Sequence, residues 1–156
     1  MVQRIYIDTS VIGGCFDEEF KVWSDKLILE FLSGQKIAVI SDVTIDEVMD
    51  APKHVQDKLG EIINCEFNEL IPIDQEAKDL AEKYIQDGAV SRKFYEDALH
   101  IAMATIHKAS VLASWNFKHI VNLDRIRQYN SVNLKKGYTI LEIRSPREIV
   151  KIEENE

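Results

Sequence analysis

The segment at residues 5–10, IYIDTS, constrains this chain most, because it places an acid directly after a run of apolar residues. A short run of β-branched and aromatic residues is typical of a strand buried in a parallel sheet. A buried charge is costly unless it is paired, and ligands of open α/β sheets bind at the carboxyl ends of the strands. Asp8 is therefore a candidate site residue; the alternative is that it only caps a turn or the next helix.

Composition favours one globular domain in the cytoplasm. The chain has 156 residues, of which 46% are hydrophobic and 29% are charged, and this suits a single core. No apolar run approaches the roughly 20 residues that span a bilayer, and the N-terminus lacks a signal-peptide pattern. We expect one domain over residues 1–150, an acidic, frayed tail over 151–156, and no membrane partner. Cys15 and Cys65 are expected to be ordinary small apolar residues.

The charge of the chain limits the kind of nucleic-acid partner it can have. A formal net charge of −8 argues against a protein that coats nucleic acid through a broad basic surface. It is compatible with an enzyme that gathers carboxylates around metal ions, because the metal reverses the local sign of the charge. The segment after Trp115 is locally basic, with Lys118, His119, Arg125, Arg127, Lys135 and Lys136.

Predicted strands and helices alternate along the chain. After the first strand, strands are predicted at 36–40, 69–73 and 111–114, with a weaker fifth at 138–141. The pair Gly13 and Gly14 predicts a tight turn. Helices are predicted at 22–32, 41–49, 54–65, 75–87, 91–108 and 121–129, with a last short turn at 145–148. This alternation implies an α/β fold with three layers, α/β/α, around a central parallel sheet of four to five strands.

The topology restricts which acids can meet. Asp8 follows the first strand, Glu47 lies in the first two turns after the second, and Asn116 follows the fourth. The helix that leads into the fourth strand must begin near the same edge, which places Asp97 there too. Glu47 and Asp97 also border apolar positions on their helices, where a solvated acid would be unusual. We therefore expect these side chains to converge at the carboxyl edge of the sheet.

Five short motifs follow one another along the chain: YIDTS at 6–10, SDV at 41–43, EV at 47–48, DALHIA at 97–102 and SWNF at 114–117. Their order resembles that of PIN domains, and of VapC-like toxin ribonucleases in particular. The resemblance implies a ribonuclease, dependent on Mg²⁺ or Mn²⁺, that cleaves RNA phosphodiester bonds with an activated water. It also implies a homodimer and a cognate antitoxin that inserts a segment into the acidic site.

The resemblance also implies roles for individual side chains. Asp8 would be the central metal ligand, and Asp97 would hold the metal directly or through a water. Glu47 would bind the metal or orient the attacking water. Hard divalent cations take oxygen ligands, which agrees with three carboxylates. Ser10 and Ser114 would position these ligands through hydroxyl hydrogen bonds.

Asn116 departs from the family pattern, because many members have an acid at this position. Asparagine accepts a hydrogen bond or holds a metal-bound water but brings no charge, so we expect one firmly bound ion and a second arriving with the substrate. Lys118 and His119 are candidate phosphate contacts, with solvated side chains as the alternative. His100 is expected to be packed and hydrogen-bonded, and Glu96 is expected to point away from the site.

Three functional classes remain open at this point. The first is a toxin ribonuclease kept silent by an antitoxin, and the second is a PIN nuclease of RNA processing without an antitoxin. The third is a non-catalytic binding module, which the three acids argue against and Asn116 keeps open. A phosphatase with an aspartyl nucleophile fits less well, because the position of its second acid, two residues after Asp8, is Ser10.

Overall fold

A five-stranded sheet organises the computed structural model of the chain, which describes residues 2–150. The strands are β1 (Arg4–Ile7), β2 (Ile37–Ser41), β3 (Asn68–Ile71), β4 (Val111–Ala113) and β5 (Ile143–Arg144). Their order is β3-β2-β1-β4-β5, and every neighbouring pair is parallel. Parallel neighbours require crossover connections, which helices supply here. The predicted acidic tail at 151–156 lies outside the described residues.

Helices cover both faces of the sheet. They are α1 (Thr9–Gly14), α2 (Lys21–Leu32), α3 (Asp42–Met49), α4 (Lys53–Asn64), α5 (Gln75–Gln86), α6 (Tyr95–Ile106), α7 (Leu123–Lys135) and α8 (Pro146–Ile149). A 3₁₀ turn at Arg92–Phe94 precedes α6, so the helix predicted at 91–108 begins later than expected. Within residues 2–150, none of the helices combines the length and the apolar character needed to cross a bilayer.

Each face of the sheet has its own hydrophobic core, because successive strand residues point to opposite sides. Tyr6, Val39 and Leu112 face a core completed by α5, α6 and α7. Ile5 and Ile7 face a second core completed by α1, α2 and α4. Strands that are apolar on both faces are what a parallel sheet between two helical layers requires. The predicted three-layer α/β/α fold is therefore confirmed.

The direction of the strand order reverses at β1. The chain runs outward from β1 through β2 to β3 and then returns to β4 and β5 on the other side. In an open parallel sheet, such a reversal leaves a crevice outside the carboxyl ends of the two strands that flank it, here β1 and β4. Asp8 and Ser114 are the first residues after these two strands. The fold therefore brings them to the place where ligand sites form.

The glycine pair does not form the predicted tight turn. Asp8 accepts a hydrogen bond from Val11 N and acts as the N-cap of α1, so a helix begins directly after β1. Gly13 and Gly14 are the last two residues of that helix. The two glycines favour a turn, but a helix forms instead because the Asp8 side chain accepts a hydrogen bond from the first turn of that helix.

The fifth strand forms later than the sequence predicts. The pattern predicted a strand at 138–141, whereas β5 is Ile143–Arg144. Asn130 of α7 accepts a hydrogen bond from Leu141 N at 2.7 Å and donates one to Leu141 O at 3.1 Å. The Asn130 side chain therefore pairs with the N–H and C=O groups of Leu141, which a strand would have paired with its neighbour. The pairing with β4 begins only after Leu141.

We predict that Gly14 tolerates no side chain. An added Cβ would lie 2.5 Å from Ser24 Oγ and 2.6 Å from Trp115 Nε1, two atoms that are hydrogen-bonded at 2.8 Å. Gly14→Ala should therefore lower the free energy of unfolding by about 1–3 kcal/mol, as overpacking does. Gly13→Ala is the matched control, because the added Cβ has no atom within 4 Å and alanine favours a helix. Urea unfolding measures both variants, and equal losses would contradict this packing.

Candidate active site

Asp8 lies buried at the crevice between β1 and β4, and only 5% of it is exposed. Ser10 Oγ donates to Asp8 Oδ1 at 2.6 Å, and Ser114 Oγ donates to Oδ2 at 2.6 Å. Burial raises the pKa of Asp8, and these hydroxyl hydrogen bonds oppose that shift. Asp8 therefore caps α1, as the alternative interpretation predicted, and the same carboxylate lies at the crevice.

Asp97 lies in the first turn of α6 and shares an electrostatic environment with the other two acids. Its pKa is raised to about 6, chiefly by burial and then by the negative charges of Asp8 and Glu47, while His100 opposes the shift. Asp97 and Glu47 line the same cleft, and Thr9, the residue after Asp8, donates a hydrogen bond to Glu47. Asn116 Nδ2 lies 3.4 Å from Asp97 Oδ2, at the long end of a hydrogen bond. The fold therefore brings the three predicted acids and Asn116 together.

Glu47 lies on α3, and two hydrogen bonds hold one of its oxygens. Thr9 Oγ1 donates to Glu47 Oε1 at 3.1 Å, and His100 Nε2 lies 2.5 Å from the same atom. Burial raises the pKa of Glu47, but the hydrogen bond and the charge of His100 outweigh burial and lower it overall. Glu47 is therefore a fixed carboxylate rather than a mobile one.

Asn116 shapes the turn that follows β4. Its Oδ1 accepts hydrogen bonds from Lys118 N at 3.2 Å and His119 N at 3.0 Å. The Lys118 side chain is exposed, whereas His119 is 9% exposed and stacks on Phe94 with ring centroids 3.6 Å apart. Of the two predicted phosphate contacts, Lys118 is open to solvent and His119 lies beneath an aromatic ring.

Glu96 lies at the site, contrary to the expectation that it points away. It lines a cleft of about 400 Å³ together with Glu47, Asp97 and Lys93. The 3₁₀ turn before α6 delays the helix, so both acids lie in its first turn, at the edge of the site. The adjacency of Glu96 and Asp97 was the sequence signal that could have indicated this.

Carboxylate oxygens are the type of ligand that a divalent cation such as Mg²⁺ takes, but these carboxylates do not already surround one metal position. Among residues 2–150, no three His, Cys, Asp or Glu side chains are arranged to hold a metal ion. Mg²⁺ needs fewer protein ligands, because it keeps several waters and is bound through one or two carboxylates. Asp8 and Asp97 meet this requirement, since a cation would relieve the repulsion that raises the pKa of Asp97. The donor set therefore fits one hydrated ion.

Comparison with solved structures identifies the fold. VapBC2 from Rickettsia felis, bound to a DNA fragment from its promoter, matches with a TM-score of 0.56 and 13% identity, covering 92% of this chain and 98% of that one. Mycobacterium tuberculosis VapC20, a Sarcin-Ricin loop cleaving toxin, matches with a TM-score of 0.55 and 9% identity, covering 88% and 98%. DNA-bound VapBC from Salmonella typhimurium gives 0.54 and 12%, covering 94% and 99%.

At these identities the similarity establishes the fold alone. No family sequence model matches the chain, and no curated protein matches it. The matches cover most of this chain and nearly all of each VapC-type chain, so the sheet and its carboxyl edge are included. The chain has the fold of these VapC-type proteins, a PIN-domain fold, and the fold predicted from the sequence motifs is confirmed.

The raised pKa of Asp97 predicts a pH-dependent stability. The pKa of the Asp97 carboxyl is 3.8 in the unfolded chain and about 6 in the folded chain. Between pH 3.8 and about pH 6, the folded chain therefore binds more protons at this group than the unfolded chain does. Its contribution to stability is therefore full below about pH 4 and is lost as the pH rises through 6. We expect Asp97→Asn to raise the free energy of unfolding by about 1–2 kcal/mol at pH 7 and hardly to change it at pH 4.

Urea unfolding in metal-free buffer at both pH values measures this difference. Asp57→Asn is the control, because Asp57 is an exposed acid on α4 whose partner is Lys53. A gain for Asp97→Asn that is the same at pH 4 and pH 7 would contradict the assigned pKa.

Proposed function

We propose that this chain is a metal-dependent endoribonuclease that acts in the cytoplasm as the toxin of a toxin–antitoxin pair. One observation carries the proposal: Asp8, Glu47 and Asp97 converge at the strand reversal of a PIN fold, and the pKa of Asp97 is raised to about 6. Acids with perturbed pKa values in a cleft are typical of catalytic sites, because clustering them costs stability.

Asp8 and Asp97 would hold one Mg²⁺ or Mn²⁺, and Asn116 would reach it through a water. When bound, such an ion lowers the pKa of a water and stabilises negative charge on the phosphate under attack. Ser10 and Ser114 hold both oxygens of Asp8 and so fix its orientation. The neutral side chain of Asn116 favours one firmly bound ion, with a second arriving with the substrate phosphate.

Glu47 is proposed to orient the attacking water. Its side chain is 30% exposed and lines the 400 Å³ cleft beside Asp97. Thr9 and His100 occupy Oε1, which leaves Oε2 as the oxygen available to a water. A carboxylate with one oxygen fixed and the other available is suited to hold a water in one orientation.

Cations flank the acids, although the chain as a whole is strongly negative. Lys93 lines the cleft with Glu47, and the charges of Lys93, Lys118 and Arg125 add to burial in lowering the pKa of His119. Lys93 lies at the cleft itself, and Lys118 is exposed in the turn that Asn116 shapes after β4. Basic groups beside an acidic centre suit the backbone phosphates of an RNA strand. We assign the phosphate contact to Lys118 and a supporting role to His119.

The structural neighbours favour a toxin over a processing nuclease. Two of them are VapBC structures bound to DNA, and the third is a toxin that cleaves the Sarcin-Ricin loop. They support an RNA-cleaving toxin with a protein antitoxin, and a homodimer is part of the same proposal. A PIN nuclease without an antitoxin and a non-catalytic module are the alternatives that the next experiment separates.

Cleavage of a pool of structured RNAs tests the proposal. Protein free of bound partners is incubated with Mn²⁺, Mg²⁺ or EDTA, beside Asp8→Asn and the control Asp57→Asn. We expect cuts only with a metal, a loss of about 100-fold or more for Asp8→Asn, and wild-type cleavage for Asp57→Asn.

Each other outcome of this experiment is informative. Folded protein that cuts no RNA with either metal would favour the binding module, and cleavage that persists in EDTA would reject the role of the metal. Growth arrest on expression of the wild type, absent with Asp8→Asn, is expected of a toxin and not of a processing nuclease.

Lys118→Ala should weaken RNA binding without slowing the chemical step. A contact to a flanking phosphate is the same in the ground state and the transition state, so KM should rise about 3- to 10-fold while kcat stays nearly constant. The slope of log affinity against log salt should fall by about 0.7 for one lost phosphate contact. Lys53→Ala, an exposed lysine on α4, is the control. A loss in kcat alone would place Lys118 at the reacting phosphate instead.

A further inference from the structure

A chain of buried hydrogen bonds runs from the central strand to Glu47. Tyr6 Oη lies 2.6 Å from Ser41 Oγ and 2.6 Å from His100 Nδ1. On the other side of the imidazole ring, His100 Nε2 lies 2.5 Å from Glu47 Oε1. Tyr6 and Ser41 are fully buried, and His100 is 2% exposed. These polar groups are therefore paired with one another and shielded from bulk water.

The chain of hydrogen bonds lies inside an otherwise apolar core. Tyr6 is in the central strand, and its ring meets the His100 ring edge-on at a centroid distance of 5.6 Å. Leu112 and Val39, the neighbours of Tyr6 on the adjacent strands, are both apolar and fully buried. A phenylalanine at position 6 and an aliphatic residue at position 100 would fill this core without polar atoms to satisfy. The polar residues at positions 6 and 100 are explained by Glu47, the carboxylate to which their hydrogen bonds lead.

These hydrogen bonds can keep the same geometry whether His100 is neutral or protonated. The Glu47 carboxylate accepts, so His100 Nε2 donates. The Tyr6 hydroxyl can donate to His100 Nδ1 and accept from Ser41, or donate to Ser41 and accept from a protonated Nδ1. In both cases both imidazole nitrogens of His100 have a partner. The orientation of the imidazole ring therefore does not depend on its protonation state.

We infer that Tyr6 and His100 are positioning residues, which hold Oε1 of Glu47 so that Oε2 is presented to the attacking water. A free glutamate side chain samples many rotamers, whereas Glu47 is held by Thr9 of α1 and His100 of α6. Pre-orientation of this kind speeds a chemical step without adding a substrate contact. The inference rests on the proposed nuclease function and extends the site to a side chain that RNA cannot reach.

Removal of one hydroxyl group tests the inference by kinetics. Tyr6→Phe should lower kcat about 10-fold or more and leave KM unchanged, as loss of a partner that orients a catalytic carboxylate does. Tyr84→Phe is the matched control, because it removes the hydroxyl of another fully buried tyrosine, bonded to Asn133. It should keep kcat within twofold. His100→Gln, which places an amide near the position of Nε2, should recover part of the kcat that His100→Ala loses.

A second readout does not require activity. In protein labelled with ¹⁵N-histidine, the His100 Nε2 proton should be protected from exchange with water, and its loss in His100→Gln assigns it among the four histidines. Tyr6→Phe and Glu47→Gln should shift or broaden this signal, and Tyr84→Phe should leave it unchanged. If Tyr6→Phe does not fold, Glu47→Gln provides the spectroscopic test and His100→Gln the kinetic one.

The two readouts separate failure of the inference from failure of the proposed function. If the wild type cleaves no RNA, the nuclease proposal fails and the imidazole signal still decides whether Tyr6 and His100 hold Glu47. The inference is overturned by a His100 proton that exchanges freely in the wild type. It is equally overturned by a kcat for Tyr6→Phe that matches Tyr84→Phe, or by a glutamine variant no better than His100→Ala.

Discussion

The cost of burying the charge of Asp8 governs how this site is built. Asp8 ends a central strand whose residues are buried on both faces, so its carboxylate needs partners from within the protein. Ser114 supplies one from the end of β4. Ser10 supplies another, and its hydroxyl also accepts a hydrogen bond from Trp115 N at 2.8 Å. The ends of β1 and β4 are therefore joined by side-chain hydrogen bonds where the sheet ladder stops, and the crevice between them has a fixed shape.

The electrostatics of the site oppose folding, and the proposed cation would relieve this cost. Three carboxylates share the edge of the sheet, and the pKa of Asp97 reflects both their burial and their mutual repulsion. The chain does not relieve this repulsion with a fourth ligand, because Asn116 is neutral. Lys93 lines the cleft beside these acids, and Lys118 is exposed in the turn after β4. Stability given up in this way is typical of functional sites.

The sequence predicts those features that depend on local pattern and topology. Apolar runs give β1, β2 and β4. Asp8, Glu47 and Asn116 follow these strands and meet because parallel strands share one carboxyl edge, and Asp97 lies in the helix that leads into β4. Of the features it misses, one depends on a contact between an α7 side chain and a later loop, and the other on the exact residue at which α6 begins. The side chain of Asn130 displaces the fifth strand by bonding Leu141, and the 3₁₀ turn before α6 brings Glu96 to the site. No periodicity in the sequence reports either feature.

The tyrosine in the central strand also has an evolutionary consequence. Tyr6 and His100 satisfy each other inside a core that apolar residues would fill at lower cost. A descendant that no longer needed Glu47 would be free to replace both, and selection for stability would favour that exchange. A homologue that keeps the acids but carries phenylalanine and leucine at these two positions would then be a candidate for a lineage that has lost its chemistry.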